Sequence, residues 1–314
     1  MSALGELRRL RSAKGGTTVA SKAAKQEERA AYLFLLPWLA GLVLITAGPM
    51  AISFYISLTD YNLLQAPEFV GLQNYLDMLG DDRLQNSLRV TFVYVFVSVP
   101  IQLAAALAIA VLLNRGMKGL AFYRSVYYLP SLLGGSVAIA VLWRTLFGSD
   151  GIVNRGLAVL GVENAPSWVA DPSTALGTLI ILNVWTFGAP MVIFLAGLRQ
   201  VPASLYEAAS VDGAGRWRQF TRITLPVITP IIFFNVVLQI IHAFQAFTQA
   251  FIVSGGSGGP SDSTMFFTLY LYQTGFGNFQ MGYASAMAWV LLIIIAAFTA
   301  INFWASRFWV FYDD

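Results

Sequence analysis

Within the strongly apolar stretch 226–253, polar side chains recur as Asn235, Gln239, His242, Gln245 and Gln249. At 100° per residue, a continuous α-helix gathers these five within an arc of about 120°, so an otherwise apolar helix gains one polar face. Such groups are costly against hydrocarbon and turn toward a bundle interior or an aqueous cavity. Amides on successive turns both donate and accept hydrogen bonds, which suits a hydroxyl-rich solute. The competing role is hydrogen bonding that only ties helices together. Asn183 and Trp185, with Phe244 and Phe247, are further candidates for amide and stacking contacts.

A second polar group lies in 199–226, a loop too long and too patterned for a plain connector. Pro202 suits the first turn of a helix that runs from Ala203 to Val211, and Gly213 and Gly215 terminate it. A second short helix begins near Arg216 and runs toward Pro226. The product is a helix-turn-helix knob carrying Glu207, Asp212, Arg216, Arg218 and Arg222.

Several chemistries are excluded. The chain has no cysteine and one histidine, which leaves neither thiolate nor multi-histidine metal sites. No G-x-x-x-x-G-K-[ST] phosphate loop is present, so ATP is not bound in the usual way. Gly256-Ser257-Gly258-Gly259-Pro260 has the look of a protease nucleophile loop, but His242 lies in an apolar stretch with no carboxylate near it in sequence. A net charge of +3 without a long basic stripe argues against nucleic acid as a partner.

The elements that must position these residues are membrane helices. Of 314 residues, 57% are hydrophobic and only 11% charged, less than half the usual charged share of a soluble domain. Six stretches are long and apolar enough to span, at 31–58, 90–113, 123–146, 174–198, 226–253 and 281–306. The first exceeds a signal-peptide core in length and is expected to be retained. Arg8, Arg9, Arg11, Lys14, Lys22, Lys25 and Arg29 fall on the same side as Arg115, Lys118, Arg124, Arg199, Arg216, Arg218, Arg222 and Arg307. By the positive-inside rule that side, with both termini, is cytoplasmic. The opposite loops hold Asp60, Glu68, Asp77, Asp81, Asp82, Asp150, Glu163, Asp171 and Asp262 against Arg83 and Arg155. Trp38, Trp143, Trp168, Trp304 and Trp309 fall near span ends as interfacial anchors. The expected organisation is a basic cytoplasmic segment, 1–30, followed by an all-α, six-span membrane domain, 31–314, with the knob at 199–226.

The knob carries a resemblance. Glu207-Ala208-Ala209, then Gly213 after three intervening residues and Ile223-Thr224-Leu225-Pro226 after nine more, resemble the EAA loop of permease subunits of binding-protein-dependent ABC importers. Asp212, Ala214, Phe220 and Pro230 fit the form usual in the sugar-transporting branch. Phe69-Val70-Gly71-Leu72-Gln73-Asn74-Tyr75, Phe122-Tyr123-Arg124, Leu129-Pro130 and Gly258-Gly259-Pro260 are similar to the disaccharide, oligosaccharide and glycerol-phosphate permeases. The resemblance implies a type I ABC importer permease fold in a prokaryotic inner membrane. It also implies a second permease subunit, two cytoplasmic ATPase subunits that bind ATP and Mg, and an external solute-binding protein. Glu207, Ala208, Ala209, Asp212, Gly213, Ile223, Leu225 and Pro226 would couple the permease to the ATPase, with no catalysis in this chain. The alternative is an ion- or proton-coupled carrier, against which stands the lack of paired charges near the centres of the spans.

Overall fold

The computed structural model of the chain describes residues 22–116, 119–162 and 165–311, the side chains of 22–30 excepted. The side chains of the seven N-terminal basic residues, of Lys118 and of Glu163 lie outside the described residues. The chain falls into two compact units that divide between Tyr55 and Ile56. The first is one helical run, α1 (Lys22–Gly41), a π-helical stretch (Leu42–Ala47) and α2 (Gly48–Ser57). Its 27 residues from Ala31 to Ser57 suffice to cross a bilayer. Phe34 and Ile45 on it are 84% and 78% exposed, as side chains meant for lipid are.

The second unit opens with a two-stranded antiparallel ribbon, β1 (Thr59–Asp60) and β2 (Glu68–Phe69), with Thr59 opposite Phe69. Asn74, on the short α3 (Gln73–Asp77), donates to the carbonyls of Ser57 and Thr59, each at 2.9 Å. There follows α4 (Asp82–Leu113), which begins eight residues before the expected start at 90. The reason is a cap: the Asp81 carboxylate accepts from the Leu84 N–H at 2.9 Å and stabilises the helix N-terminus. At 32 residues, α4 is the hub of the unit.

The third expected span is not one straight helix. Residues 123–146 fall in α5 (Leu120–Leu133) and α6 (Val137–Leu146), which meet at 95°. Pro130 weakens the ladder before the bend, Gly134 and Gly135 supply the loose turn, and Ser136 caps the new helix through Ile139 N–H. After α7 (Ile152–Val159), the fourth stretch is α8 (Ala175–Trp185) and α9 (Gly188–Leu198), bent by 40° at Thr186 and Phe187. The knob holds α10 (Ala203–Val211), α11 (Arg216–Gln219), a π-helical stretch (Phe220–Thr224) and α12 (Leu225–Val227). The fifth stretch is α13 (Thr229–Phe244) and α14 (Thr248–Val253), together 25 residues. Then come α15 (Phe267–Tyr272), a π-helical stretch (Gln273–Gly277) and α16 (Met281–Ser306), the last matching its expected bounds. Among the described residues four helices are long and apolar enough to cross a membrane, or six if each bent pair is one span.

Packing centres on α4, against which α8, α9, α13 and α15 lie, while α5 packs on α9 and α6 on α14. The α5–α9 crossing requires glycine: a Cβ on Gly188 would overlap the Tyr127 carbonyl oxygen and the Tyr128 Cα. Phe92, Phe244 and Phe298 join α4, α13 and α16 through ring contacts at 5.5–5.7 Å. Trp143 is buried and donates its indole N–H to the Thr178 carbonyl at 3.0 Å, so it packs α6 on α8 and is no interfacial anchor.

The loop before α15 is tied to the start of α4. Arg83 pairs bidentately with Asp262 at 3.0 and 3.1 Å, and Asn86 donates to the Asp262 carbonyl at 3.1 Å. The Tyr270 and Tyr283 hydroxyls donate to the other Asp81 oxygen, at 2.7 and 2.8 Å. Burial pushes the Asp81 carboxyl up, but the Leu84 N–H and the two phenols outweigh it and hold it below its ordinary value. Burial and the Asp81 charge push the Tyr270 hydroxyl up to about 12. Because the folded-state value of Asp81 is depressed, its stabilisation is present above the unfolded value and is lost as pH falls through the folded one. Replacing Asp81 by Ala should destabilise the detergent-solubilised chain by about 1–2 kcal/mol at pH 7. In thermal melts the gap to wild type should close below about pH 4; a gap that persists in acid would assign it to lost packing.

Candidate functional site

The knob is built by a left-handed turn. Gly213, at φ +75°, follows the last turn of α10. Its N–H donates to Ser210 at 3.1 Å, and the Ala214 N–H donates to Ala209 at 2.8 Å. These two bonds satisfy carbonyls that the helix end would otherwise leave bare, in the Schellman arrangement. A Cβ at Gly213 would meet nothing, so the requirement there is backbone conformation rather than space. Gln219 closes the corner from α11, donating to the Ser210 hydroxyl and the Ala214 carbonyl, each at 3.0 Å.

One side of the knob packs inward. The Tyr206 and Thr224 hydroxyls share a hydrogen bond at 2.8 Å, and Tyr206, Ile223 and Leu225 lie against the core. Pro226, half-buried, lies in the first turn of the last short helix of the knob. The other side is bare: Glu207, Ala208, Asp212 and Gly213 are exposed, with Ala209 half-buried. Among the described residues, neither Glu207 nor Asp212 forms an ion pair. Val211 and Trp217 stand 89% and 76% exposed beside them, an apolar margin that water alone does not explain.

The polar residues of the fifth stretch do not form one continuous face. Helix α13 stops at Phe244, Gln245 caps its end, and α14 resumes only at Thr248, so the helical phase is lost between them. Gln239 is half-exposed, and His242 and Gln245 are exposed. Asn235 is fully buried, donating to the Ile231 carbonyl of its own helix at 3.1 Å, and its Oδ1 has no partner among the described residues. Gln249 donates to the Gly134 carbonyl at 3.1 Å, at the break between α5 and α6. Phe244 is packed in the core and offers no stacking face. Phe247 lies against Phe251 and Tyr272 at 5.3 Å.

Asn183 and Trp185 belong to the second break. Asn183 donates to the Ser98 hydroxyl at 3.1 Å and to Gln102 Oε1 at 3.3 Å. Gln102 Nε2 in turn reaches the Asn183 carbonyl at 2.9 Å and Thr186 Oγ1 at 3.1 Å. The Ser131 hydroxyl donates to the Thr186 carbonyl at 2.7 Å and accepts from the Ala189 N–H at 2.8 Å. Trp185 rests beside Trp143 at 5.9 Å. Ser257 is likewise occupied in its turn, donating to Ser254 O at 2.8 Å and accepting from Gly259 N–H at 3.1 Å.

Comparison with known proteins decides what this arrangement belongs to. The family described as "Binding-protein-dependent transport system inner membrane component" matches residues 80–309, and so includes both breaks and the knob. The chain belongs to that family. The "Probable ABC transporter permease protein YesP" of Bacillus subtilis is 50% identical over 295 residues, covering 94% of this chain and 96% of that protein. The "Lactose transport system permease protein LacF" of Rhizobium radiobacter is 29% identical, covering 93% and 98%. The "Trehalose/maltose transport system permease protein MalF" of Thermococcus litoralis is 31% identical, covering 92% and 97%. A bacterial alginate ABC transporter, solved in complex with an alginate pentasaccharide-bound periplasmic protein, contains a chain that aligns at TM-score 0.80 and 21% identity. That alignment covers 92% of this chain and 97% of the solved one, and it shows the fold.

The permease is thus a multi-pass, mostly helical membrane subunit of an ABC transporter, with the type I permease fold. The residues that sequence reasoning did not single out are Ser98, Gln102, Ser131 and Thr186. Gln102 lies within the apolar stretch of α4, where a lone amide was the one available signal. In the permease, replacing Gly213 by Ala should cost the knob about 1 kcal/mol. Hydrogen exchange in 203–214 should then rise while exchange in α4 stays unchanged; equal exchange in 203–214 would mean that the turn tolerates a side chain.

Proposed function

We propose that this permease carries a sugar or oligosaccharide, delivered by an external solute-binding protein, across a prokaryotic inner membrane. It spans six times with both termini cytoplasmic, the bent pairs counting as one span each, and comprises the basic segment 1–30 and the membrane domain 31–314. It works beside a second permease subunit, and two cytoplasmic ATPase subunits bind ATP and Mg and supply the work. The observation that carries this reading is the bare side of the knob, where Glu207, Ala208 and Asp212 project beside exposed Val211 and Trp217. An unpaired carboxylate at the edge of an apolar patch gains from a fixed cationic partner once water is excluded. Ala208 and Ala209 let a second surface approach closely, and the Gly213 turn sets the angle of α10. Ile223, Leu225 and Pro226 join that turn to α13, so a push on the knob is delivered to the fifth span.

Support for a sugar comes from the names of the relatives, which transport lactose and trehalose/maltose. Gln239, His242 and Gln245 retain accessible polar groups on one stretch of the fifth span, and we assign the pathway to them. Asn183, Trp185, Asn235 and Gln249 serve this pathway indirectly, by holding the shape of the helices around it.

Glu207→Lys and Gly213→Asp should each abolish most uptake in vesicles of the assembled transporter, with both variants still inserted. ATPase turnover should become independent of the loaded binding protein. Normal uptake by both would remove the coupling role. Gln239→Ala with Gln245→Ala should lower the uptake rate or alter the choice among saccharides while leaving ATPase assembly intact; unchanged rate and preference would make the stripe structural.

A further inference from the structure

A groove of about 890 Å3 separates the C-terminal end of α4 from the knob, lined among others by Asn114, Arg115, Tyr206, Arg216 and Trp217. Among the described residues no carboxylate lines it, and neither Arg115 nor Arg216 forms an ion pair. Two arginines therefore line one groove, neither with an ion-pair partner among the described residues. A second groove, of about 270 Å3, adjoins it, with Ala104 and Leu107 lining both. That second groove runs between α4, α9 and α13 past Val99, Leu103, Phe194 and Val236, and every residue lining it is apolar. The combined groove is amphipathic along its length. Its apolar part lies beside α4, and its cationic part lies at the C-terminal end of that helix.

We infer that this composite groove holds one anionic glycerophospholipid of the cytoplasmic leaflet, its phosphate on Arg115 and Arg216 and an acyl chain along Ala104, Leu107 and Leu103. A soluble anion would satisfy the arginines but leave the apolar half to water, and a wholly apolar helix of a partner subunit would fill the apolar half but leave both charges unpaired. A lipid satisfies both halves at once. Basic pockets between membrane helices on the cytoplasmic side bind anionic headgroups for the same reason. Since Tyr206, Gln219, Phe220 and Thr224 also line the cationic half, a lipid seated there underlies the knob and stiffens its attachment to α4.

The test is native mass spectrometry of the purified full chain with its partner subunits, released from detergent after titration with phosphatidylglycerol or phosphatidylcholine. Wild type should retain one phosphatidylglycerol in preference to phosphatidylcholine. Arg115→Gln with Arg216→Gln should weaken that retention on the order of 30-fold, at the usual worth of two interfacial basic residues. Arg115→Lys with Arg216→Lys should keep the preference, which separates lost charge from lost fold, and Ala104→Trp should expel the chain from the apolar half. Equal retention of the two lipids by wild type, or undiminished phosphatidylglycerol on the double Gln variant, would overturn the assignment. So would efficient cross-linking of Ala104→Cys to a partner polypeptide, which would place protein in the groove.

Discussion

In a membrane every freed backbone group must find a partner inside the protein, and two helix breaks in this permease put that constraint at its centre. The bend after α5 exposes the Gly134 carbonyl, and the bend after α8 exposes those of Asn183 and Thr186. Side chains from other elements take them up: Gln249 from α14, Gln102 from α4 and Ser131 from α5. Without these, each bend would leave carbonyls in hydrocarbon at a cost of several kcal/mol apiece. The breaks are thus stabilised from a distance, and helices α4, α5, α8, α9 and α14 are fixed together by the same bonds.

That fixing gives the knob a rigid base. Tyr206 and Thr224 close the knob on itself, and Ile223 and Leu225 seat it on the core below. Its exposed side carries Glu207 and Asp212, which form no ion pair among the described residues, beside exposed Val211 and Trp217. The division between an inward-packed and an outward-bare side follows from one left-handed glycine: its N–H and that of Ala214 bond back to α10, end that helix and turn the chain. At the opposite end of the unit, Asp81 has a comparable role. It caps α4 while accepting from two tyrosines of later elements, 189 and 202 positions away in sequence.

Much of this was legible in the residues. Ala203 to Val211, Gly213 and the bounds of α16 followed from helix signals and apolar length, because propensity, capping and hydrophobicity act locally. The bends were not: Pro130, Gly134 and Gly135 are visible in the sequence, but an apolar run with a proline is compatible with a kinked span as with a 95° turn. The polar face of the fifth stretch failed as a continuous stripe because the arc assumed unbroken helical phase through Gln245 to Phe247, where the chain leaves the helix.

The sequence by itself determined that the chain lives in lipid, that it carries a helix-turn-helix knob between its fourth and fifth apolar stretches, and that it holds no phosphate loop of its own. Composition and short-range spacing suffice for those, since each depends on residues within a turn or a span of one another. Only the tertiary structure decided which polar residues remain accessible and which are consumed in holding the fold. Gln245 and Gln249 are four residues apart and chemically identical, yet one is exposed and the other is bound to the Gly134 carbonyl. What separates them is where a distant backbone breaks, and that is fixed by packing across the bundle rather than by neighbours along the chain.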